Sequence, residues 1–581
     1  MANMTHAFAA ATPILGWFDL SIFGIMLILS TLVGIYFGVS KKQDSAKEYL
    51  MGGKSMGMIP VAISCVASFV SGITVLGVPT ETYLYGTQYS AAAISFILIG
   101  WTTVKFFIPI YSKLEISSSY EYLELRFDSR VRRMCSFMYL IALMFYIPVV
   151  VYVAALAFSQ VAGIDVYLIT PITCLVCIFY TTMGGMRAVV WTDALQTVVM
   201  MAAIIFVMVQ GAAKLGGWSS VWVINETGDR LKFFNMDPNP FQRQSFWTVV
   251  VGVYFMFLAD CATGQSFVQR YLSVPDQKTA VKTVWLFVFG LALTLLLSVA
   301  NGLLVYASYS GCDPVLSQRV SKPDQLLPLL VMDVAGHIPG FVGLFVAGVF
   351  SAALSSMSTS LNSLSGILVT DFLSGVLSPK LSTGQWLRVI TVVVGLICMA
   401  LVYAVEHLGG ILQGILSLNG VTSGPMLGLF LLGMFFPSAN SRGALIGSAA
   451  SLISLTFVVF GAQYAQNTGA LVYKALPLSV ESCNVTGNSS FLHDYHHEEL
   501  IEENDETLII FKLSFTYYTL LGVLIVVVVG YLASKLSEDE DSKRKAINRD
   551  LLCPLVHRFL PKELEQGSTP EKDALMNQPE K

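Results

Sequence analysis

What most constrains this chain is an apolar run of about 20 residues that recurs from one end to the other. At 1.5 Å of rise per residue, a helix of that length covers the roughly 30 Å of hydrocarbon in a bilayer. Thirteen such spans are expected, near 17–38, 57–78, 88–112, 134–160, 163–182, 188–212, 246–270, 281–308, 339–370, 386–405, 411–436, 442–462 and 508–533. Backbone groups in lipid must find partners inside the segment, which only helices and closed barrels achieve. The alternating ten-residue pattern of a barrel strand is absent. The expected fold class is therefore an all-α polytopic membrane protein with thirteen transmembrane helices. Charge agrees, at 12% of residues against about 25% in soluble domains.

Loop charge gives an expected orientation. "SKKQDSAKEYLMGGK" and "RFDSRVRR" are basic, which places them in the cytoplasm. Thirteen spans then put residues 1–16 outside and 534–581 inside. Residues 1–16 lack the positive region and cleavage site of a cleaved signal peptide. The sequons at Asn225, Asn484 and Asn488 fall in loops that this count places outside, as glycosylation sites require. Cys312 and Cys483 also lie in outer loops and are candidates to pair. Cys174 and Cys177 form a C-x-x-C inside an apolar run and read as small core residues. The stretch "HDYHHEELIEENDET" reads as a solvated outer loop. The tail 534–581, charged and poor in aromatics, is expected to be a disordered cytoplasmic segment.

Two kinds of segment break the apolar monotony. "FSAALSSMSTSLNSLSG", residues 350–366, carries eight hydroxyls in seventeen residues. Ser351, Ser355, Ser358, Asn362 and Ser365 share one helical face, and Ala352, Ser356, Thr359 and Ser363 form the next stripe. That face is too polar to meet lipid. Close helix packing is one reading, and a cation path in which hydroxyls replace hydration water is the other. The second span holds "ASFVSGIT", a hydroxyl- and glycine-bearing centre that invites unwinding. The seventh span, "VYFMFLADCATGQSFVQRY", has a similar interruption. Broken helices at matching places in two halves point to an inverted-repeat transporter with its site at mid-membrane. Spans two to six form one repeat (about 54–212) and seven to eleven the other (about 245–436).

The pieces "VASFVSGITVLGVPTETYLYG", "FYTTMGGMRAVVWTDALQTVVM", "VQRYLSV", "KPDQLLPLLVMD" and "GLFVAGVFSAALSSMSTSLNS" together resemble the solute:sodium symporter family, in its iodide, monocarboxylate and multivitamin branch. The resemblance covers nearly all of residues 17–533. It implies a five-plus-five inverted-repeat core and sodium-driven secondary transport, with sodium as the co-transported ion. It places sodium on the carbonyls of Ala67, Val70 and Ala352 and the hydroxyls of Ser355 and Ser356. Asp193 matches a family carboxylate near that site, with Ser68 and Gln196 behind it. For substrate it suggests Thr74, Tyr146 and Phe257. The iodide-type carrier has glutamine and tryptophan where Thr74 and Phe257 stand, which argues against iodide. Asp260 departs from the family pattern. An ionised group there repels an anion, so the residue is protonated, pairs with a second cation, recognises a polar or cationic solute, or simply meets cavity water.

The expected function is sodium-coupled import of a small organic anion, a monocarboxylate or vitamin-like acid, by a multi-pass plasma-membrane carrier. A sugar, polyol or cationic solute is the alternative cargo, and a transporter-like sodium channel or sensor the alternative class. No P-loop, H-E-x-x-H or G-x-S-x-G motif suggests an enzyme or nucleotide-driven pump, and no basic tract suggests nucleic acid.

Overall fold

Apolar runs of this kind hide their amides only by coiling, and the protein is built of helices. The computed structural model describes residues 15–40, 43–114, 116, 118–407, 411–473, 475–483, 507–537 and 548–559. Its helices are α1 (Trp17–Ser40), α2 (Ala46–Met51), α3 (Met58–Phe69), α4 (Gly72–Tyr85), α5 (Thr87–Leu114), α6 (Glu121–Arg126), α7 (Ser129–Ala162), α8 (Val166–Lys214) and α9 (Trp218–Thr227). There follow α10 (Thr248–Thr263), α11 (Gln265–Tyr271), α12 (Gln277–Tyr309), α13 (Leu326–Ala335), α14 (Phe341–Phe372), α15 (Thr383–His407), α16 (Ile411–Phe435), α17 (Ser441–Asn467) and α18 (Tyr518–Leu536). Among the described residues, nine helices are long and apolar enough to cross a membrane, or eleven if each bent pair is one span.

The longest element shows how local chemistry sets the path. α8 has 49 residues, about 73 Å of helix, more than two bilayer crossings. It folds at Gly185, where φ is 50° and ψ is −147°. That conformation suits glycine. A Cβ there would also lie 2.8 Å from both Gln43 Oε1 and Tyr49 O. Gln43 seals the bend from below, its Nε2 donating to Gly184 O at 3.0 Å. The sequence reading placed two spans here, 163–182 and 188–212, either side of this turn.

α14 is the axis of the molecule. Of its most apolar stretch, 94% is buried, against 28% for α1. Asp19 of α1, itself buried, starts α14 from outside. Its Oδ1 accepts from Gly343 N–H at 2.8 Å and its Oδ2 from Gly16 N–H at 3.0 Å. A Cβ on Gly343 would come within 2.3 Å of Asp19 O, so only glycine lets α1 sit this close.

At one rim, Cys312 and Cys483 form a disulfide. The buried Arg230 donates to Gly228 O at 2.6 Å and Pro477 O at 2.8 Å, and stacks on Tyr306 at 3.9 Å. These ties hold the segment around Leu476–Cys483 against the ends of α4 and α12.

Several expectations change. Asn225 lies on α9, fully buried, with Nδ2 donating to Val221 O at 2.8 Å and Leu303 O at 2.9 Å. The folded chain has no room for a glycan there. Asn484 and Asn488 lie outside the described residues. Residues 509–512 form a 3-10 turn, and the last span runs over Phe515–Leu536, opening with a 3-10 turn at Phe515–Tyr517, rather than starting at 508. The tail is not featureless: residues 548–559 are folded, with Leu551, Leu552 and Cys553 buried. Cys553 N–H donates to Met434 O at 2.9 Å, Tyr122 OH to Leu551 O at 3.1 Å, and Lys113 pairs with Asp550.

Candidate functional site

The second span unwinds where its sequence invites it. α3 ends at Phe69, and Val70 (φ −78°, ψ 98°) and Ser71 (φ −89°, ψ 171°) are extended. The last helical hydrogen bond runs from Val70 N–H to Val66 O at 2.9 Å, and the next begins with Thr74 N–H to Ser71 O at 2.9 Å. The terminal carbonyls of a helix have no partner within it. Here they belong to Ala67, Ser68, Phe69 and Val70.

α14 brings its hydroxyls to this break. Ser356 Oγ donates to Ser68 O at 3.3 Å and to Ala352 O at 3.1 Å. Ser355 Oγ stands 3.5 Å from Ser68 Oγ, which is 2.7 Å from Thr359 Oγ1. Ala67, Val70, Ala352, Ser355 and Ser356 are all buried. Of the residues assigned to sodium from the sequence, Ser355 and Ser356 on α14 both meet Ser68, which lies between Ala67 and Val70 on α3. The arrangement offers neutral oxygens to a small hard cation, which suits binding weak enough for release.

Beneath lies a charged network. Asp193, with no exposed surface, receives Ser64 Oγ at 2.6 Å, Ser68 Oγ at 3.3 Å and Arg270 Nη2 at 3.1 Å. Arg270, 1% exposed, also donates to Ser64 Oγ at 2.8 Å, Ser266 O at 2.7 Å and Thr359 Oγ1. Ser358 Oγ reaches Asp193 Oδ1 at 3.5 Å. Asp193 therefore has its charge balanced by arginine and its position fixed one layer from Ser355. The sequence reading placed Ser358 on the polar face of α14 but passed over Arg270 and Ser64. A lone arginine inside an apolar span demands a buried partner, and that was the available signal. Gln196 is buried on the same helix as Asp193, and neither side-chain amide atom has a hydrogen-bond partner among the described residues.

The seventh span breaks differently. α10 ends in a π-turn, Ala259–Thr263, and meets α11 at Gly264 with a bend of 57°. Gly264 N–H donates to Ala259 O at 3.1 Å and Asp260 O at 3.0 Å, and Tyr111 OH donates to Ala262 O at 2.8 Å. Phe257 lies about two turns before the break at Gly264. Its ring is 4.7 Å from Phe69 and 5.9 Å from Phe96, so the two broken spans meet through aromatic rings. Tyr146, on α7, points its hydroxyl toward Ser71 and Ser356. Thr74 Oγ1 stands 3.5 Å from Ser71 Oγ. The candidate substrate residues Thr74 and Tyr146 thus meet at the Val70–Ser71 break. Phe257 joins them through Phe69, and Asp260 stands on the facing span.

A family model, the sodium:solute symporter family, matches residues 49–450. The chain belongs to that family. It is a multi-pass membrane symporter that moves a small solute with sodium, and not an enzyme. Among its relatives are the sodium-coupled monocarboxylate transporter 2 of Danio rerio, 36% identical over 94% of this chain and 89% of the relative, and the human sodium-coupled monocarboxylate transporter 1, 36% identical over 89% and 86%. The human sodium/iodide cotransporter is 34% identical over 90% of this chain and 84% of its own. The symporter also shares the fold of a Na+-coupled sialic acid symporter solved substrate-bound and outward-open. The TM-score is 0.72 at 24% identity, covering 90% of this chain and 98% of that one.

Proposed function

We propose that this symporter imports a small organic anion of the monocarboxylate class across the plasma membrane. It does so through thirteen crossings arranged around two inverted five-helix repeats, with the N-terminus outside and the tail inside. One observation carries the reading: at the Val70–Ser71 break, Ser356 Oγ donates to the freed carbonyl of Ser68 at 3.3 Å and Ser355 Oγ stands 3.5 Å from Ser68 Oγ. Sodium is held there by Ala67, Val70, Ala352, Ser355 and Ser356. Asp193, locked to Arg270, positions that shell. Cargo lies alongside, against Thr74, Tyr146 and the ring of Phe257. The names of the relatives supply the cargo class, and the absence of the iodide-type glutamine and tryptophan at Thr74 and Phe257 supports it.

Energetics set the coupling. A tenfold sodium gradient is worth about 1.4 kcal/mol, and 70 mV adds about 1.6 kcal/mol per charge. With one sodium per monovalent anion the charges cancel, and accumulation stops near tenfold. Any further net positive charge per cycle raises that limit. Sodium stabilises a state open to the outside, cargo closes it, and the repeats rock around the site. Release follows because cytosolic sodium is low. Expression in oocytes with a panel of labelled solutes tests the reading. Sodium-dependent uptake strongest for a short monocarboxylate is expected. Sodium current without solute uptake would show a channel, and uptake confined to sugars or polyols would overturn the cargo.

A further inference from the structure

Among the described side chains of the membrane helices, Asp260 is treated unlike Asp19, Glu81, Asp193 and Asp371. Asp19 accepts two backbone N–H groups, Glu81 holds Arg243 at 2.9 Å, Asp193 holds Arg270, and Asp371 holds Arg132 at 2.6 Å. Asp260 has no ion-pair partner and no hydrogen-bond donor among the described residues. The residue is only partly buried, on the turn beside the break.

Its neighbours leave it alone. Tyr139 and Tyr146 of α7 face it, and Cys261 adjoins it on the turn. Of the elements packed on that turn, α5 brings the exposed Lys105 and Tyr111, whose hydroxyl is spent on Ala262 O. On α10, Tyr254 bonds Thr102 at 2.8 Å. α11 brings Tyr271, and Arg270, which is committed to Asp193 and Ser64. The described side chains of α16 include no titratable group.

An ionised carboxylate with no cation or donor is costly in such a place. An anionic cargo arriving beside it adds like-charge repulsion. One proton relieves both costs. We infer that Asp260 is a proton-binding site of the transport cycle, taking up a proton with the anionic cargo outside and releasing it with that cargo inside. The inference rests on the proposed anionic cargo. The O–H bond forms from external water-borne protons and breaks to cytoplasmic water, with no redox partner needed. Sodium, proton and anion together carry one net positive charge inward per cycle.

The test uses the full chain in oocytes, with labelled L-lactate as probe, a pH microelectrode inside the cell, and sodium-free uptake subtracted. Sodium-dependent lactate uptake by the unaltered protein is expected to fall severalfold from external pH 6 to pH 8 and to acidify the cell. In Asp260→Asn the remaining uptake is flat with pH and no sodium-dependent acidification accompanies it. In Asp260→Glu the pH profile persists with a displaced midpoint, and this variant decides if Asp260→Asn carries nothing. An unaltered profile in Asp260→Asn, an undisplaced midpoint in Asp260→Glu, or uptake without acidification overturns the inference. If the unaltered protein ignores lactate but carries choline in a manner lost in Asp260→Asn, the carboxylate is a counter-charge for cargo. The proposed cargo and the proton site then both fall. Lactate uptake insensitive to pH removes the proton site alone and leaves the cargo reading standing.

Discussion

The two broken spans solve the same problem in opposite ways. At Val70–Ser71 the chain goes extended for two residues, and among the described residues one of the released carbonyls, Ser68 O, is met by the Ser356 hydroxyl of α14. At Gly264 the turn tightens first into a π-turn, and the spare carbonyls of Ala259, Asp260 and Ala262 are taken up by Gly264 N–H and Tyr111 OH. One break leaves oxygen available; the other consumes its backbone oxygen and presents a side-chain carboxylate instead. Irregular backbone at membrane depth survives only where its polar groups find partners or line a cavity. The contrast shows that a break in a helix is not by itself an ion site. What neighbours the freed carbonyls decides it.

Arg270 bolts the two breaks together, because it sits on α11 and reaches Ser64 of α3 as well as Asp193. The largest expected effect is therefore Arg270→Met, which strands Asp193 as a buried unpaired charge and costs about 3–5 kcal/mol. Surface labelling and detergent melting should show loss of folded protein, and adding Asp193→Leu should restore much of it. Next comes Gly264→Ala, whose Cβ would lie 2.5 Å from Asp260 O. Displacing backbone that way costs about 1–3 kcal/mol, seen as a lower melting temperature. Replacing both Ser355 and Ser356 with alanine should raise the sodium concentration for half-maximal current about tenfold, or roughly 1.4 kcal/mol. A wild-type sodium curve in that variant would remove the sodium site from the first break. Phe257→Ala should raise the cargo KM several-fold, for a ring contact worth about 0.5–1.5 kcal/mol, while leaving the sodium curve in place. The smallest effect is Gly72→Ala, where the nearest atom to a Cβ is 3.8 Å away. Melting should move by no more than about 0.5 kcal/mol equivalent. Equal damage from Gly72→Ala and Gly264→Ala would erase the distinction between the two breaks.

Apolar run length was enough to read an all-helical membrane chain, of which nine to eleven spans are seen among the described residues, because the requirement is local and depends on nothing distant. The unwinding at Val70–Ser71 was legible for the same reason, in the glycine and hydroxyls of "ASFVSGIT". Features that depend on partners far along the chain were not. Arg270 and Asp193 are 77 residues apart and Asp19 and Gly343 are 324 apart, and no local pattern couples them. Asn225 carries a sequon that reads as exposed, but its amide completes the packing of α9 on α12 through Leu303 O. The tail looked featureless because its charge outweighs the short apolar core Leu551–Cys553, which gains order only by resting on Met434 and Tyr122.

That docked tail has a practical corollary. Of nine cysteines, two are joined and six lie in membrane helices, so Cys553 is the one free thiol outside them. It is shielded only while the 548–559 segment rests on α16. A maleimide dye applied to that face therefore tags the protein at the pace at which the segment lifts, giving the native chain a built-in optical clock.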